Sequence, residues 1–220
     1  MKLYAFIAEY GDVDMQSILG EKIRELELTF YVKLKSFKGF ELALSQEHHE
    51  QWRIKLGSRD LKARLRLVNK DRHEFTTKRN PGDNLGNIEV TNIITPDLYA
   101  ELLHAASDGY AKTRYTFSTE VEGLQWEVDV FKDRMGEDCL WVKVDLELKS
   151  LADTVPELPL EVEQVILETN HMRLEDKDQI EELWEKTWPK LSAVDSFVHA
   201  QQKQTEDPRI ATPPNPDERA

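Results

Sequence analysis

The stretch WEVDVF, residues 126–131, sets two carboxylates, Glu127 and Asp129, between large apolar side chains in strict alternation. Side chains two positions apart on a β-strand point to the same face, so the stretch predicts a strand with one apolar and one acidic face. The same pattern is typical of a half-buried antiparallel strand whose polar face is in water. The other segments of the chain help to separate a solvated face from a functional one.

Four further segments carry two like charges at the same spacing. They are RELELTF with Glu25 and Glu27, ARLRLVN with Arg64 and Arg66, AKTRYTF with Lys112 and Arg114, and VKVDLEL with Asp145 and Glu147. Like charges on one face of a strand repel each other, and a solvated surface normally mixes the signs. The repeated pairs therefore predict that the charged faces of several strands share a polar interior.

The composition limits the class of protein. The 220 residues suit one main domain, predicted at residues 1–200, followed by a disordered proline-rich tail at residues 201–220. The formal charge of −13 argues against general nucleic-acid binding, which normally needs a basic surplus. The single cysteine excludes an internal disulfide, and no stretch approaches the roughly 20 apolar residues of a membrane span. The sequence thus predicts a cytoplasmic protein without membrane contact, and leaves a homodimer open.

The periodicities predict an α+β fold. Alternating segments predict an antiparallel sheet of about eight strands with flanking helices and a C-terminal helix, and such a sheet can close into an eight-stranded β-tunnel. One helix is predicted from Thr95 to near Gly109, and another over residues 180–198 with a bend at Pro189. The polar segment HHEQWRIKLGSRD, residues 48–60, is predicted to connect two strands and to leave its histidines on the surface.

An interior with acids on some strands and bases on others suits a metal-bound polyanion. Mg²⁺ and Mn²⁺ prefer carboxylate oxygens, and proteins usually hold Mg²⁺ with one or two carboxylates and the phosphates of a substrate. Arg binds phosphate through a bidentate fork, and Lys acts as a point charge. The candidate metal ligands are Glu25, Glu27, Asp145 and Glu147, and the candidate phosphate ligands are Arg64, Arg66, Lys112 and Arg114.

In their shared order these motifs resemble the CYTH or triphosphate tunnel metalloenzyme superfamily, which includes thiamine triphosphatases, inorganic triphosphatases and class IV adenylyl cyclases. ELELT at 25–29 resembles its opening Glu-x-Glu-x-Lys strand, and RLR at 64–66 its Arg-x-Arg strand. KTRYTF followed by WEVDVF is similar to its Lys-x-Arg-Tyr and Trp-Glu-x-Asp pair, and DLEL to its final acidic strand. The resemblance covers about residues 25–163.

The resemblance implies roles for particular residues. It adds Lys78 as a phosphate ligand, and it implies supporting acids at Glu89, Glu127 and Asp129. It also implies that the catalytic set is Glu25, Glu27, Lys78 and Lys112. The implied activity is hydrolysis of inorganic, nucleoside or thiamine triphosphate with Mg²⁺ or Mn²⁺, by attack of water on the terminal phosphorus.

Two positions depart from the family pattern. Thr29 stands where the opening motif has its Lys, and Leu160 stands where a later Gly-Lys-Glu-Val-Thr segment has one. Two alternatives therefore stay open: a nucleotide cyclase, in which a ribose hydroxyl attacks, and a non-catalytic protein that binds a nucleotide or polyphosphate. In a last alternative the charge pairs lie on the outer surface of a β-sheet and have no function. This alternative predicts that the paired basic residues point to bulk water.

Overall fold

The computed structural model describes residues 23–54, 61–79, 87–133, 135–148, 155–168 and 173–192, without the side chains of residues 23–26 and 192. The tail predicted at residues 201–220 lies outside the described residues, as do the first 22 residues of the predicted domain. The strands and helices of the described part of the chain lie between Ile23 and Ser192.

The described residues form ten strands and two α-helices, which confirms the α+β class. The strands are β1 Ile23–Leu34, β2 Ser45–Ile54, β3 Leu61–Val68, β4 Arg72–Arg79, β5 Asn87–Ile93, β6 Ala106–Ser118, β7 Gln125–Lys132, β8 Asp138–Leu148, β9 Val162–Leu167 and β10 Leu191–Ser192. The helices are α1 Pro96–Leu103 and α2 Leu174–Glu182, and α2 continues into a π-helical turn, Leu183–Thr187. Within these residues no helix is long and apolar enough to cross a membrane.

All ten strands belong to one antiparallel sheet. Its order is β10-β6-β2-β3-β4-β5-β1-β8-β7, β7 also pairs with β6, and β9 pairs with β1. Each of β1 to β8 has a neighbouring strand on both sides. The predicted number of eight is too low because β9 runs beside the C-terminal half of β1, where β5 no longer pairs with it, and the short β10 pairs with β6. Closure of the sheet into a tunnel remains a prediction.

The alternation in WEVDVF gives β7 two chemically different faces. Trp126, Val128 and Val130 are buried in an apolar cluster with side chains of β1, β6 and β8. The intervening acids lie on the other face, where Glu127 is opposite Asp145 of β8 in the strand register. The apolar face of these strands is therefore packed in a core, and the charged face is left for a polar interior.

Helix α1 covers the apolar face of β2 and β3. Its Tyr99 and Leu103 pack with Trp52 of β2 and Leu65 of β3. The predicted start of the helix at Thr95 is confirmed, since Thr95 is its N-cap and its hydroxyl accepts a hydrogen bond from the Leu98 amide at 3.3 Å.

The predicted end of this helix near Gly109 is wrong. Gly109 lies inside β6, opposite Trp52 of β2. A Cβ at this position would lie only 2.2 Å from Cε3 of Trp52, so the glycine makes room for the buried indole. The chain leaves the helix at Leu103 because β6 has to begin at Ala106.

Helix α2 packs across one end of the charged face. Ile180, Leu183 and Trp188 form an apolar cluster with Tyr31 of β1 and Phe131 of β7. The predicted helix over residues 180–198 is wrong in its bounds, and its part beyond Ser192 lies outside the described residues. The helical turns end before Trp188, which is extended, with φ −91° and ψ 115°. The reason is Pro189, because a residue before proline avoids the α conformation.

The prediction that residues 48–60 connect two strands is wrong for the first half of this segment. Ser45–Ile54 form β2, which lies between β3 and β6 in the sheet. The remaining residues of that segment, 55–60, lie outside the described part of the chain.

Candidate polyanion-binding cavity

A cavity of about 920 Å³ lies against the charged faces of the strands. Ten of the predicted site residues line it: Glu27, Arg64, Arg66, Lys78, Glu89, Lys112, Arg114, Glu127, Asp145 and Glu147. Asp129 lies behind this wall and is fully buried, whereas the side chain of Glu25 is outside the described part. The paired basic residues thus share one cavity, and the interpretation of the charges as surface decoration is wrong.

Asp129 holds two cations in the wall of the cavity. Its Oδ1 accepts a hydrogen bond from Arg114 Nε at 2.7 Å, and its Oδ2 accepts one from Arg114 Nη2 at 2.9 Å and contacts Lys112 Nζ. Burial alone would raise the pKa of Asp129, but the charges of Arg114 and Lys112 hold it well below its usual range. Asp129 therefore serves as an ionised anchor for the two bases and does not itself reach the cavity.

Lys112 lines the cavity, and its pKa is lowered there. Burial, followed by the nearby charge of Arg114, lowers the pKa of Lys112 to about 7, although Asp129 acts in the opposite direction. A group with a pKa near neutrality can both take up and release a proton at physiological pH. Lys112, one of the predicted catalytic residues, is therefore suited to proton transfer.

A second group of charges links β1, β3, β4 and β5. Lys78 Nζ donates to Glu27 Oε2 at 2.7 Å and lies 3.8 Å from Glu89 Oε2. Arg64 Nη2 donates to Glu89 Oε1 at 2.6 Å. The acid predicted as a metal ligand, Glu27, is therefore in contact with a base predicted to bind phosphate.

Arg66 and Arg64 keep unused donors next to the cavity. Arg66 Nη1 donates to Glu74 Oε2 at 3.2 Å, but its Nε and Nη2 are buried without a hydrogen-bond partner, and so is Nε of Arg64. Burial, with the charges of Arg64 and Arg114, lowers the pKa of Arg66 to about 10, at which it is still charged at neutral pH. Buried N–H groups normally have an acceptor, so these donors suit an anion in the cavity.

The sequence analysis did not identify Lys143 of β8. Its ammonium group contacts the carboxylate of Asp145 and lies 3.8 Å from Glu27 Oε1. Thr29 Oγ1 donates to the same carboxylate, at 2.8 Å from Asp145 Oδ1. The signal was present in the sequence, because Lys143 precedes Asp145 by two residues and so belongs to the same strand face.

The described residues do not fit a resident metal ion. Of the predicted ligands, Glu27 is paired with Lys78, and Asp145 with Lys143. No three His, Cys, Asp or Glu side chains in the described ranges are grouped closely enough to hold a metal. Glu147 lies opposite Glu27 in the register of β1 and β8, but these acids form no such group. The predicted metal set, including Glu25, stays a prediction.

The predicted surface position of His49 is wrong. This residue is 1% exposed on β2, and its Nε2 lies 3.1 Å from Glu47 Oε2. One face of β2 is polar because it carries Glu47, His49 and Gln51. For this reason the sequence pattern did not predict a strand here. Burial first, and then the charges of Lys112 and Arg66, lower the pKa of His49 to about 3.

We expect His49 to stay uncharged at pH 5. Its folded pKa lies below the ordinary value of 6.5, so protons favour the unfolded chain, and this group lowers stability as the pH falls below 6.5. A His49→Gln variant should lack this part of the pH dependence, which is at most about 1.4 kcal/mol per pH unit. The ¹⁵N chemical shifts of the imidazole measure the charge directly, and a protonated ring at pH 5 would contradict the expectation.

Comparisons with known proteins find several solved structures that are similar to this chain. No protein-family model matches it, and no curated protein does. The inorganic triphosphatase NE1496 is 20% identical over 73% of this chain and 96% of its own, with a TM-score of 0.41. A Bacillus halodurans protein proposed to be an adenylate cyclase is 14% identical over 59% of this chain and 82% of its own, with a TM-score of 0.43. The PH1819 protein from Pyrococcus horikoshii OT3 is 17% identical over 80% and 99%, with a TM-score of 0.40.

Proposed function

We propose that this protein binds a triphosphate in the cavity between its charged strand faces and hydrolyses it. The substrate is inorganic triphosphate or the triphosphate part of a nucleoside or thiamine triphosphate. The observation that carries the proposal is the set of unpartnered nitrogen donors on Arg64 and Arg66, which are buried beside a cavity of about 920 Å³. Arginine donors of this kind match phosphate oxygens in geometry and in charge.

The distribution of charge supports an anionic ligand. Among the described residues, eight basic and six acidic side chains line the cavity, although the whole chain has a formal charge of −13. A local basic surplus on an acidic protein attracts a small anion to this place and not to the rest of the surface. Nucleic acid is a poor candidate for the same reason, since it would meet the acidic exterior first.

The strand pairing supports a tunnel as the shape of the site. Strand β7 pairs with both β8 and β6, and each of β1 to β8 pairs with at least two other strands. We propose that they enclose the cavity as one domain, which excludes bulk water from the bound phosphates. Exclusion of water strengthens each contact between phosphate oxygens and the basic side chains.

The proposed reaction transfers the terminal phosphoryl group to water. The water oxygen forms a bond to the terminal phosphorus as the bridging P–O bond breaks, so that phosphate and a diphosphate leave. Lys112, in its neutral form, accepts a proton from the attacking water, and Arg66 and Arg114 stabilise charge on the phosphate oxygens. A divalent ion, Mg²⁺ or Mn²⁺, enters with the triphosphate as part of the substrate, as Mg²⁺ commonly does.

A non-catalytic binding protein is the second candidate, and two positions favour it. Thr29 donates its hydroxyl hydrogen to Asp145, and Leu160 is buried in the apolar cluster that also contains Val32. Neither position supplies the lysine that the resemblance would require there. Lys112 and Lys143 provide lysine side chains elsewhere in the cavity, which favours hydrolysis.

The products formed from inorganic triphosphate and from ATP, each with Mg²⁺ or Mn²⁺, test the proposal. We expect phosphate release that falls roughly 10²- to 10⁴-fold in Lys112→Met, the usual range for the loss of a general acid–base group. Lys132→Met is the matched control, because Lys132 is paired with Asp138 outside the cavity. Cyclic nucleotide from ATP would establish a cyclase instead, and triphosphate binding without any product would establish the non-catalytic binder. If no triphosphate binds, the proposed function is wrong.

A further inference from the structure

Lys143 lies between two acids that come from different strands. It faces Asp145 on its own strand, β8, and it approaches Glu27 of β1 to 3.8 Å. Asp145 is 2% exposed, and its carboxylate is held by Lys143 together with the hydroxyl of Thr29. The lysine belongs to the middle of a paired strand, so its position is fixed by the sheet and not by a loop.

The ammonium group occupies the space that a bridging cation would need. Mg²⁺ binds carboxylate oxygens at about 2.0–2.1 Å, which is closer than an ammonium nitrogen approaches them. A metal between Glu27 and Asp145 would therefore have to displace Lys143 or stand against its positive charge. The second oxygen of Glu27 is not available either, since it accepts a hydrogen bond from Lys78 at 2.7 Å.

We infer that Lys143 replaces a divalent cation between Glu27 and Asp145, so that this protein has no resident metal ion and binds triphosphate whether or not a divalent ion accompanies the substrate. This inference rests on the proposed function, because it concerns the same cavity. The ammonium group neutralises the two acids, which would otherwise repel the phosphate oxygens beside them. It also leaves the basic residues on β3 and β6 to bind the phosphates themselves.

Thr29 is consistent with this role for Lys143. In the register of β1 and β8, Thr29 lies opposite Asp145, and Tyr31 lies opposite Lys143. The short threonine side chain donates a hydrogen bond to Asp145 and leaves space for Lys143 to contact the same carboxylate. A lysine at position 29 would put a second ammonium group at the same carboxylate. The departure of Thr29 from the family pattern and the presence of Lys143 are therefore linked.

Lys143 contacts acidic side chains of two strands, Asp145 of β8 and Glu27 of β1. Lys143 acts as a positioning residue for the two acids, since its contacts are with carboxylates and not with the reacting atoms.

Calorimetric titration with inorganic triphosphate, in EDTA and in Mg²⁺, tests the inference on the wild-type protein. We expect Kd values that differ by less than about threefold, because the contacts with triphosphate come from arginine and lysine side chains. In Lys143→Met we expect binding in EDTA to weaken roughly 10- to 100-fold, the range for loss of a charge-assisted contact, and Mg²⁺ to restore part of it. Lys143→Arg keeps the charge and should bind in EDTA with less loss than Lys143→Met.

A second measurement uses Mn²⁺ alone, followed by electron paramagnetic resonance. We expect Lys143→Met to bind Mn²⁺, and we expect the wild-type protein and Lys132→Met not to bind it, since only the first variant removes the ammonium group between Glu27 and Asp145. A wild-type protein that binds triphosphate only with a divalent ion, or that binds Mn²⁺ as tightly as Lys143→Met, would overturn the inference and leave the proposed function intact. Absence of triphosphate binding under all conditions would refute the proposed function, and this inference with it.

Discussion

Replacing Asp129 by asparagine should lower the free energy of unfolding by about 3–5 kcal/mol, the range for removing one partner of a buried ion pair. Asp129 is 0% exposed and is the common acceptor for Arg114 and Lys112. An asparagine has the same shape, but it carries no charge, and its amide hydrogens would face donors. Two cations would then be buried without their shared counter-charge. Equilibrium denaturation in urea measures the loss.

The exposed ion pair of Lys132 and Asp138 gives the matched control. Their atoms lie 2.7 Å apart, yet both side chains are more than 40% exposed, so Asp138→Asn should change stability by about 1 kcal/mol or less. A loss for Asp129→Asn as small as that of the control would contradict the assigned role.

The pH dependence gives an independent check on Asp129. Without Asp129, the pKa of Lys112 in the folded protein falls below its wild-type value of about 7. The folded protein therefore binds fewer protons near pH 6. The cost of Asp129→Asn should therefore be larger at pH 6 than at pH 8, where Lys112 is already largely neutral in both proteins. A stability loss of Asp129→Asn that increases with pH would show that Lys112 is not the cation that loses its counter-charge.

Replacing Arg64 and Arg66 together by methionine should weaken the binding of inorganic triphosphate about 100-fold or more, since one charge-assisted hydrogen bond is worth about 1.5–3 kcal/mol. The fold should survive because the acids keep other partners. Glu74 retains a hydrogen bond from Arg72 at 2.8 Å, and Glu89 retains Lys78 at 3.8 Å. Calorimetry gives the affinity, and circular dichroism gives the integrity of the sheet.

Arg79→Met is the control for this pair. Arg79 follows Lys78 on β4 and is exposed, and it does not line the cavity. We expect the control to bind triphosphate as tightly as the wild-type protein. Unchanged affinity in the double variant would mean that the unpartnered donors of Arg64 and Arg66 do not hold phosphate, and the proposed function would lose its main support.

The charged and apolar faces of the strands could be predicted from sequence because they depend on local geometry. Side chains alternate along any strand, so Glu127 and Asp129 had to share a face, as did Arg64 and Arg66. The same rule would have placed Lys143 beside Asp145 had it been applied to unlike charges. The paired charges were noticed because like charges are unusual neighbours, whereas a lysine beside an acid is common.

The errors arose where a distant segment decides the local structure. Residues 48–54 look polar, and only the strands on either side of β2 bury His49 and turn a predicted connector into a strand. Gly109 looks like the end of a helix, but its role is to accept the indole of Trp52 from another strand. Pattern rules cover the residues near in sequence, whereas the contacts of His49 and Gly109 come from other strands.

The sequence by itself determined which residues could share a face and that both signs of charge would be present in one interior. Only the tertiary structure decided the partners: Asp129 with Arg114 and Lys112, and Lys143 between Glu27 and Asp145. The hydrogen bond from Thr29 to Asp145 spans 116 residues. The physical reason is that a side chain's face follows from the pleat of its own strand, whereas its partners follow from strand order and register.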